Sequence, residues 1–199
     1  SAGVAGVGPV QLAAFSTALV AALGTSQLAA WSTAQFAAVT TAQMAALATS
    51  DLVSLGTTQF AALSTSQVGA LGTTQIASLE TADLAVMSSA QLRAFSTADI
   101  VALTTAEVVA LGTSQIAGLS TAQIRALETA DVAALETSDV AALTSSQLMS
   151  LDTTQFGALS TAQLVALTST QLDAVTTVQL ASLGTSDLNA LTTAQFQSL

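Results

Sequence analysis

The 199-residue chain contains no cysteine, histidine, tyrosine or lysine, and its only basic residues are Arg93 and Arg125. These absences exclude thiolate and imidazole metal sites, Ser-His-Asp and Cys-His catalysis, and lysine Schiff-base chemistry. Twelve acidic residues give a formal net charge of -10, so the chain lacks the basic surface that nucleic-acid binding requires. We expect a protein with no enzymatic activity, no cofactor and no nucleic-acid partner.

Long hydrophobic runs are also missing. Hydrophobic residues make up 51% of the chain and charged residues only 7%, although charged residues reach about a quarter of an ordinary soluble domain. Thr, Ser, Gln or Asp nevertheless interrupts every apolar run well before the roughly 18 residues that a membrane-spanning helix needs. The sequence therefore predicts no transmembrane segment.

The dominant feature of the sequence is a repeat of eight residues. We name the octad positions a to h, with a at Gln11; 24 octads then fill residues 11–199, the last without its final three residues. Residues 1–10 form a Gly-rich lead-in. The predicted organisation is therefore a lead-in, residues 1–10, followed by a single solenoid of octads, residues 11–199.

Hydrophobicity within the octad separates a core from a surface. Positions b and e are large and apolar in every octad, as at Leu12 and Phe15, and we expect them to form the core. Position d is mostly Ala, and position h is almost always Ala, Ser or Thr, which indicates restricted space. Position c varies from Arg93 to Asp173 and Met149, so it is expected to face solvent.

This spacing predicts a helix that restarts in every octad. In a strand, positions b and e would point to opposite faces of the sheet. In a helix they share a face, but the next b lies about 140° further round, so a continuous helix would spread its core over all sides. We predict an all-α fold, a solenoid of very short helices with one per octad. Helices this short are unstable alone, so each must pack against its neighbours in the solenoid. Two, three or four helices per coil are all compatible with the sequence.

Two positions compete for the N-cap of each helix. Position g is Thr in 20 of 23 octads and Ser in the others, and both are favoured N-caps. We therefore predict a helix from h to e, with g as the N-cap and f as a left-handed C′ residue, since f holds five glycines such as Gly24. The alternative is a cap at f, because Ser32-Thr33-Ala34-Gln35 matches the capping-box pattern.

Acidic residues gather at positions f and a. Glu128, Asp131, Glu136 and Asp139 place four carboxylates within twelve residues, and Ca²⁺ prefers oxygen ligands. These four residues are the candidate calcium ligands. The alternative interpretation is that the acids favour helix N-termini and keep the surface soluble, since no Gly-punctuated D-x-D-x-D loop is present.

The octads resemble a known kind of repeat. Leu159-Ser160-Thr161-Ala162-Gln163-Leu164-Val165-Ala166 is similar to the L-[ST]-T-A-Q-[LIV]-x-A arrays of very large secreted proteobacterial surface proteins, described as adhesins or haem-utilisation proteins. The resemblance implies export by a dedicated secretion machine and a role as a stalk or adhesive filament. Haem binding is not expected here, because His, Cys and Tyr are missing as axial ligands.

We therefore expect a structural segment of an extracellular or cell-surface protein, acting as a spacer or stalk or as a fibre that self-associates end to end. The alternative is a binding module for calcium, for a polysaccharide at the cell surface or for ice, because a regular row of Thr could display hydroxyl and methyl groups.

Overall fold

The structure is a computed structural model that describes residues 6–199; the first five residues of the lead-in lie outside the described residues. Over residues 6–199 the chain forms 24 α-helices of four to six residues, one per octad, and no strand. The prediction of an all-α fold with one short helix per octad is confirmed.

The chain divides into two compact units, Ser1–Leu103 and Thr104–Leu199. The helices of the first unit are α1 (Pro9–Ala13), α2 (Thr17–Ala21), α3 (Thr25–Ala29), α4 (Thr33–Ala37), α5 (Thr41–Ala45), α6 (Thr49–Val53), α7 (Thr57–Ala62), α8 (Thr65–Val68), α9 (Thr73–Ile76), α10 (Thr81–Val86), α11 (Ser89–Leu92) and α12 (Thr97–Val101). The helices of the second unit are α13 (Thr105–Val109), α14 (Thr113–Gly118), α15 (Thr121–Ala126), α16 (Thr129–Ala134), α17 (Thr137–Ala142), α18 (Ser145–Ser150), α19 (Thr153–Gly157), α20 (Thr161–Ala166), α21 (Ser169–Asp173), α22 (Thr177–Leu180), α23 (Thr185–Ala190) and α24 (Thr193–Phe196).

Each unit is a solenoid whose coils contain three octads. In the first unit α1 packs against α4, α4 against α7, and α7 against α10. In the second unit α14, α17, α20 and α23 stack in the same way. The helices three octads apart are therefore neighbours, which decides among the coil sizes that the sequence left open.

Positions b and e form the core, as predicted. The side chains of Phe36, Phe60 and Phe156, all at position b, are 0% exposed. Trp31, at position e, packs against Phe36 with 5.4 Å between the ring centroids. Burying an aliphatic or aromatic side chain of this size stabilises a fold by about 1.5–3 kcal/mol, so two such residues per octad hold together helices that are too short to exist alone.

The N-cap lies at position f, and the prediction that it lies at g is wrong. Ser32 has extended backbone angles, φ -71° and ψ 161°, and its Oγ accepts a hydrogen bond from the Gln35 N–H at 3.3 Å. Thr33, at position g, is the first residue of its helix. The helices therefore begin at g, one residue earlier than the predicted start at h, and end at b, c or d, before the predicted end at e. The capping-box alternative is confirmed, because residue a at N3 accepts a bond from the N–H of residue f in return.

The prediction that the glycines at position f are left-handed C′ residues is wrong, because over residues 6–199 no residue has a positive φ. Gly24 has φ -77° and ψ 153°, which any residue can adopt. Its N–H donates to Gln27 Oε1 at 2.9 Å, so the side chain at position a caps the helix whether or not residue f has a side chain. This explains why position f accepts Gly, Ala and Glu as well as Ser and Thr.

Candidate functional site

Within each unit, the polar side chains at position a join a coil to the coil before it, and we call this set of contacts the seam. The seam consists of the position-a side chains and the backbone groups that they bind. Gln67 shows its first half: Gln67 Oε1 accepts from the Ser64 N–H at 2.8 Å, and the Gln67 N–H donates to Ser64 Oγ at 3.2 Å. These two bonds cap the N-terminus of α8.

The second half of the seam crosses to the preceding coil. Gln67 Nε2 donates to the carbonyl oxygens of Phe36 and Val39, each at 2.7 Å. The Gln67 side chain therefore accepts from one N–H on its own coil and donates to two carbonyls on the preceding coil. The glutamines that donate to the position-e carbonyl 28 residues earlier, at 2.6–2.9 Å, are Gln35, Gln43, Gln59, Gln67, Gln75, Gln91, Gln147, Gln155, Gln163, Gln171, Gln179 and Gln195.

The seam is buried. Gln67 is 3% exposed, although glutamine usually lies on the surface. A buried amide is tolerated only when its donors and acceptors are paired, and this geometry pairs them. Within the protein interior such bonds are also protected from competition by water, so the seam fixes the register of each coil on the next.

Acidic residues replace glutamine at several places in the seam. A carboxylate still accepts from the N–H of residue f, as Asp99 Oδ2 does from Ser96 at 2.8 Å. It has no N–H to give to the carbonyls of the preceding coil. The Asp99 carboxylate instead accepts a second bond from a Thr hydroxyl at position g of that coil: Thr73 Oγ1 donates to Asp99 Oδ1 at 2.8 Å. The bonds from Thr105 to Asp131 and from Thr113 to Asp139, both 2.7 Å, repeat this arrangement.

Asp83 is an acid in the seam whose pKa is raised from its ordinary value. Burial raises the pKa of the Asp83 carboxyl, the Glu80 backbone N–H that it accepts at 3.3 Å opposes this change, and the negative charge of Glu80 adds to it. The charged form of Asp83 is therefore disfavoured in the folded chain.

The four candidate calcium ligands have two different roles. Glu128 and Glu136 are the N-caps of α16 and α17, and both side chains are exposed. Asp131 and Asp139 lie in the seam, at 1% and 3% exposure. Their carboxylates accept from the Glu128 and Glu136 N–H groups at 2.9 and 3.1 Å as well as from threonine hydroxyls. Over residues 6–199 no group of three or more His, Cys, Asp or Glu is arranged to hold a metal ion. The calcium site stays a prediction.

The outward surface carries positions f, g, h and c. In one stack of the second unit, the c positions hold Arg125, Met149 and Asp173, all exposed. A repeated ligand would need the same chemistry at each step of the stack, and this column offers a cation, a thioether and an anion.

Sequence reasoning placed one helix in each octad, with its start one residue too late, and it missed the seam. The roles predicted for position a concern only its own helix: the Gln of the capping-box pattern, or an acid that favours the helix N-terminus. The available signal was its restriction to Gln, Asp or Glu in all octads except the one that holds Leu19, which is stricter than a solvent-facing site requires. Leu19 belongs to the first coil and is 46% exposed, so no coil within residues 6–199 needs its side chain as a donor.

Two further findings bear on identity. None of the helices in residues 6–199 has both the length and the apolar character needed to cross a bilayer. A comparison with curated proteins found no match to this chain.

The ALTTAQ repeat family, by contrast, matches most of the chain. Six overlapping matches cover residues 4–41, 12–49, 44–81, 76–113, 106–137 and 132–169. These matches span both units, and the family pattern is the same Thr-Ala-Gln core that forms the helix start and the seam. The chain therefore belongs to the ALTTAQ repeat family.

Proposed function

We propose that this chain is a structural segment of an extracellular bacterial surface or filament protein, in which it acts as a spacer or stalk without catalysis. The observation that carries the proposal is the seam. Glutamine amides, the side chains with the richest hydrogen-bonding chemistry here, are buried between coils, as Gln43 is at 1% exposure. They hold the coils together and are not presented to a substrate.

The distribution of roles over the octad supports a spacer. Positions b and e are used for the core, a and f for capping and coil stacking, and d for close packing, where Ser78 Oγ also donates to the Gln75 carbonyl at 2.7 Å. Positions f, g, h and c form the surface, and f also serves as the N-cap. A repeat protein of this kind gains stability from nearest-neighbour interfaces, so its length can change by whole repeats without a new fold. That property suits a spacer.

The extracellular placement rests on two considerations. The octads are similar to those of large secreted bacterial surface proteins. A chain without cysteine can also be exported unfolded without forming wrong disulfides. An acidic surface with few basic residues agrees with a protein that stays apart from nucleic acids and anionic lipid headgroups.

Surface labelling of the producing bacterium tests the location. An antibody raised against the folded chain should label intact cells as strongly as permeabilised cells, while an antibody against a cytosolic protein labels only permeabilised cells. If the antibody against the chain also requires permeabilisation, the extracellular proposal is wrong.

A length series tests the spacer. Duplicating residues 57–80, which form one whole coil, should leave the helical signal per residue and the unfolding midpoint unchanged or higher. Inserting a copy of residues 57–68 alone breaks the octad phase and should lower both. If the coil duplication unfolds as early as the out-of-phase insertion, the chain is not a spacer with adjustable length.

A further inference from the structure

An aspartate in the seam of the first unit leaves a buried carbonyl of the preceding coil without a donor. In the octad that follows this aspartate, Gln91 Nε2 donates to the Leu63 carbonyl, 28 residues earlier, at 2.8 Å. The equivalent carbonyl for Asp83 belongs to Leu55. Within residues 6–199 no N–H or O–H group donates to it, although Leu55 is only 5% exposed. A buried carbonyl without a partner destabilises a fold.

The Asp83 carboxylate also has few donors. Its side chain is 4% exposed, and the one bond that it accepts within residues 6–199 comes from the Glu80 N–H at 3.3 Å. Asp99, by contrast, accepts from the N–H and the hydroxyl of its N-cap residue at 2.8 and 2.7 Å and from the Thr73 hydroxyl at 2.8 Å. Thr57 is the counterpart of Thr73, but in the described part of the chain its hydroxyl does not bind Asp83. One Asp83 oxygen is therefore left without a donor.

The charges around Asp83 are all negative. Burial raises the pKa of its carboxyl group, and the charge of Glu80 adds to this change. The helix that packs against α10 in the first unit is α7, which contains no ionisable residue. The segment before Leu55 contains Asp51, whose carboxylate accepts from the Ala48 N–H at 3.1 Å. The only basic residue of the unit, Arg93, is exposed and follows α11, which packs against α8.

A protonated carboxyl group has the same hydrogen-bonding polarity as the glutamine amide. One oxygen accepts, and the O–H donates. A neutral Asp83 can therefore accept from the Glu80 N–H and donate to the Leu55 carbonyl, as glutamine does at other steps of the seam. The charged form only accepts, so it leaves the Leu55 carbonyl without a donor.

We propose that Asp83 is a proton-dependent contact in the seam: when it is protonated, its O–H donates to the Leu55 carbonyl and holds the coil of α10 on the coil before it. Aspartate is one methylene shorter than glutamine, so this bond also draws the two coils together. The stabilisation is fully present below the ordinary pKa of 3.8, and it is lost as the pH rises through the raised pKa of Asp83. The stack is therefore tighter in acid than at neutral pH.

This inference goes beyond the spacer role, which needs coil stacking but no response to acid. A seam that does not respond to acid would end the inference and leave the spacer proposal standing.

Selective isotope labelling observes the Leu55 carbonyl directly. With ¹³C in the leucine carbonyls and ¹⁵N in glycine, an HNCO spectrum contains only the Leu-Gly pairs, which begin at Leu23, Leu55, Leu71, Leu111 and Leu183. The Leu55 signal should shift as the pH falls through the pKa of Asp83. The ¹³Cγ signal of Asp83 follows that titration independently, and its absence from the spectrum of Asp83→Gln identifies it.

The spectrum contains its own controls. The Leu71 and Leu111 carbonyls lie 28 residues before Asp99 and Asp139, which accept bonds from threonine hydroxyls. Their signals should not follow the titration of Asp83. A Leu55 signal that stays fixed while the Asp83 carboxyl titrates, or one that moves together with the Leu71 and Leu111 signals, would overturn the proposal.

The variant Asp83→Gln places a permanent donor in the seam. Its Leu55 signal at pH 7 should be displaced in the direction in which acid displaces the wild-type signal, and it should no longer titrate. Asp99→Gln is the matched control, in which the Leu55 signal should titrate as in the wild type. An Asp83→Gln variant whose Leu55 signal keeps its wild-type position at pH 7, or still titrates, would contradict the proposed bond.

Discussion

Replacing Gln67 by alanine measures what the seam contributes to stability. The variant removes the acceptor of the Ser64 N–H and the donor to the carbonyls of Phe36 and Val39. The Phe36 carbonyl keeps a bond from the Val39 N–H at 3.0 Å, so the variant leaves two backbone groups, the Ser64 N–H and the Val39 carbonyl, without the partner that the seam supplies. Each such loss costs on the order of 1 kcal/mol or more. We therefore expect Gln67→Ala to lower the free energy of unfolding by about 2 kcal/mol, which in a chain of this length lowers the midpoint by roughly 4–8 °C.

The matched control is Gln11→Ala. Gln11 has the same residue type and octad position, but it is exposed, and the one bond of its side chain within residues 6–199 is from the Gly8 N–H to Oε1 at 2.9 Å. We expect its loss to cost about 0.5 kcal/mol. Far-ultraviolet circular dichroism follows the helices, and fluorescence of Trp31, the only tryptophan, follows the first unit from a site that is 3% exposed. If the two alanine variants unfold within about 0.5 kcal/mol of each other, the seam does not hold the coils together.

Three further variants probe single features. Ser120→Ala should cost about 1 kcal/mol in thermal unfolding through loss of the cap, whereas Thr121→Ala should be nearly silent; the reverse order would return the N-cap to position g. Asp83→Asn should raise the free energy of unfolding at pH 7, because the pKa of Asp83 is raised above its ordinary 3.8 in the folded chain. Protonation then stabilises the wild-type fold as the pH falls through that raised pKa, so urea titrations at pH 7 and pH 4 should show the advantage of the variant shrinking; a constant or growing advantage would contradict the assignment. Gly157→Ala should destabilise the chain, since the new Cβ would lie 3.0 Å from the Ser182 carbonyl, while at Gly56 the nearest atom is 4.0 Å away and the same change should be tolerated in a thermal melt.

The fold could be predicted from the octad because local signals agree at each position. Leu12 and Phe15, three residues apart, can share a helix face, and the next apolar pair cannot share it, so the helix had to restart. The position of the N-cap was misjudged for a physical reason. Thr is a residue type that is often found at the N-cap, and it occupies position g. The N-cap nevertheless lies at f, because residues f and a bond each other reciprocally, as Ser32 and Gln35 do.

The coil size and the seam could not be derived from the octad alone. The bonds from Gln67 to Phe36 and Val39 connect residues 31 and 28 positions apart, and nearly identical octads give no longer period that would reveal this spacing. The strictness of position a was a visible signal of burial. The groups that the position-a glutamines bind on the preceding coil are backbone carbonyls. They cannot be recognised in the sequence, because every residue has one.

An engineered disulfide within the first unit tests the three-octad coil most directly. Gly69→Cys/Ala94→Cys places the two Cβ atoms about 3.6 Å apart, within the range of about 3.5–4.5 Å that a disulfide needs. We predict complete intramolecular oxidation of this pair under mild conditions. Pairing Gly69→Cys with Val86→Cys corresponds to a two-octad coil and with Ala102→Cys to a four-octad coil, and neither should oxidise. Rapid oxidation of either alternative pair, with the Gly69 and Ala94 pair left reduced, would contradict the structure.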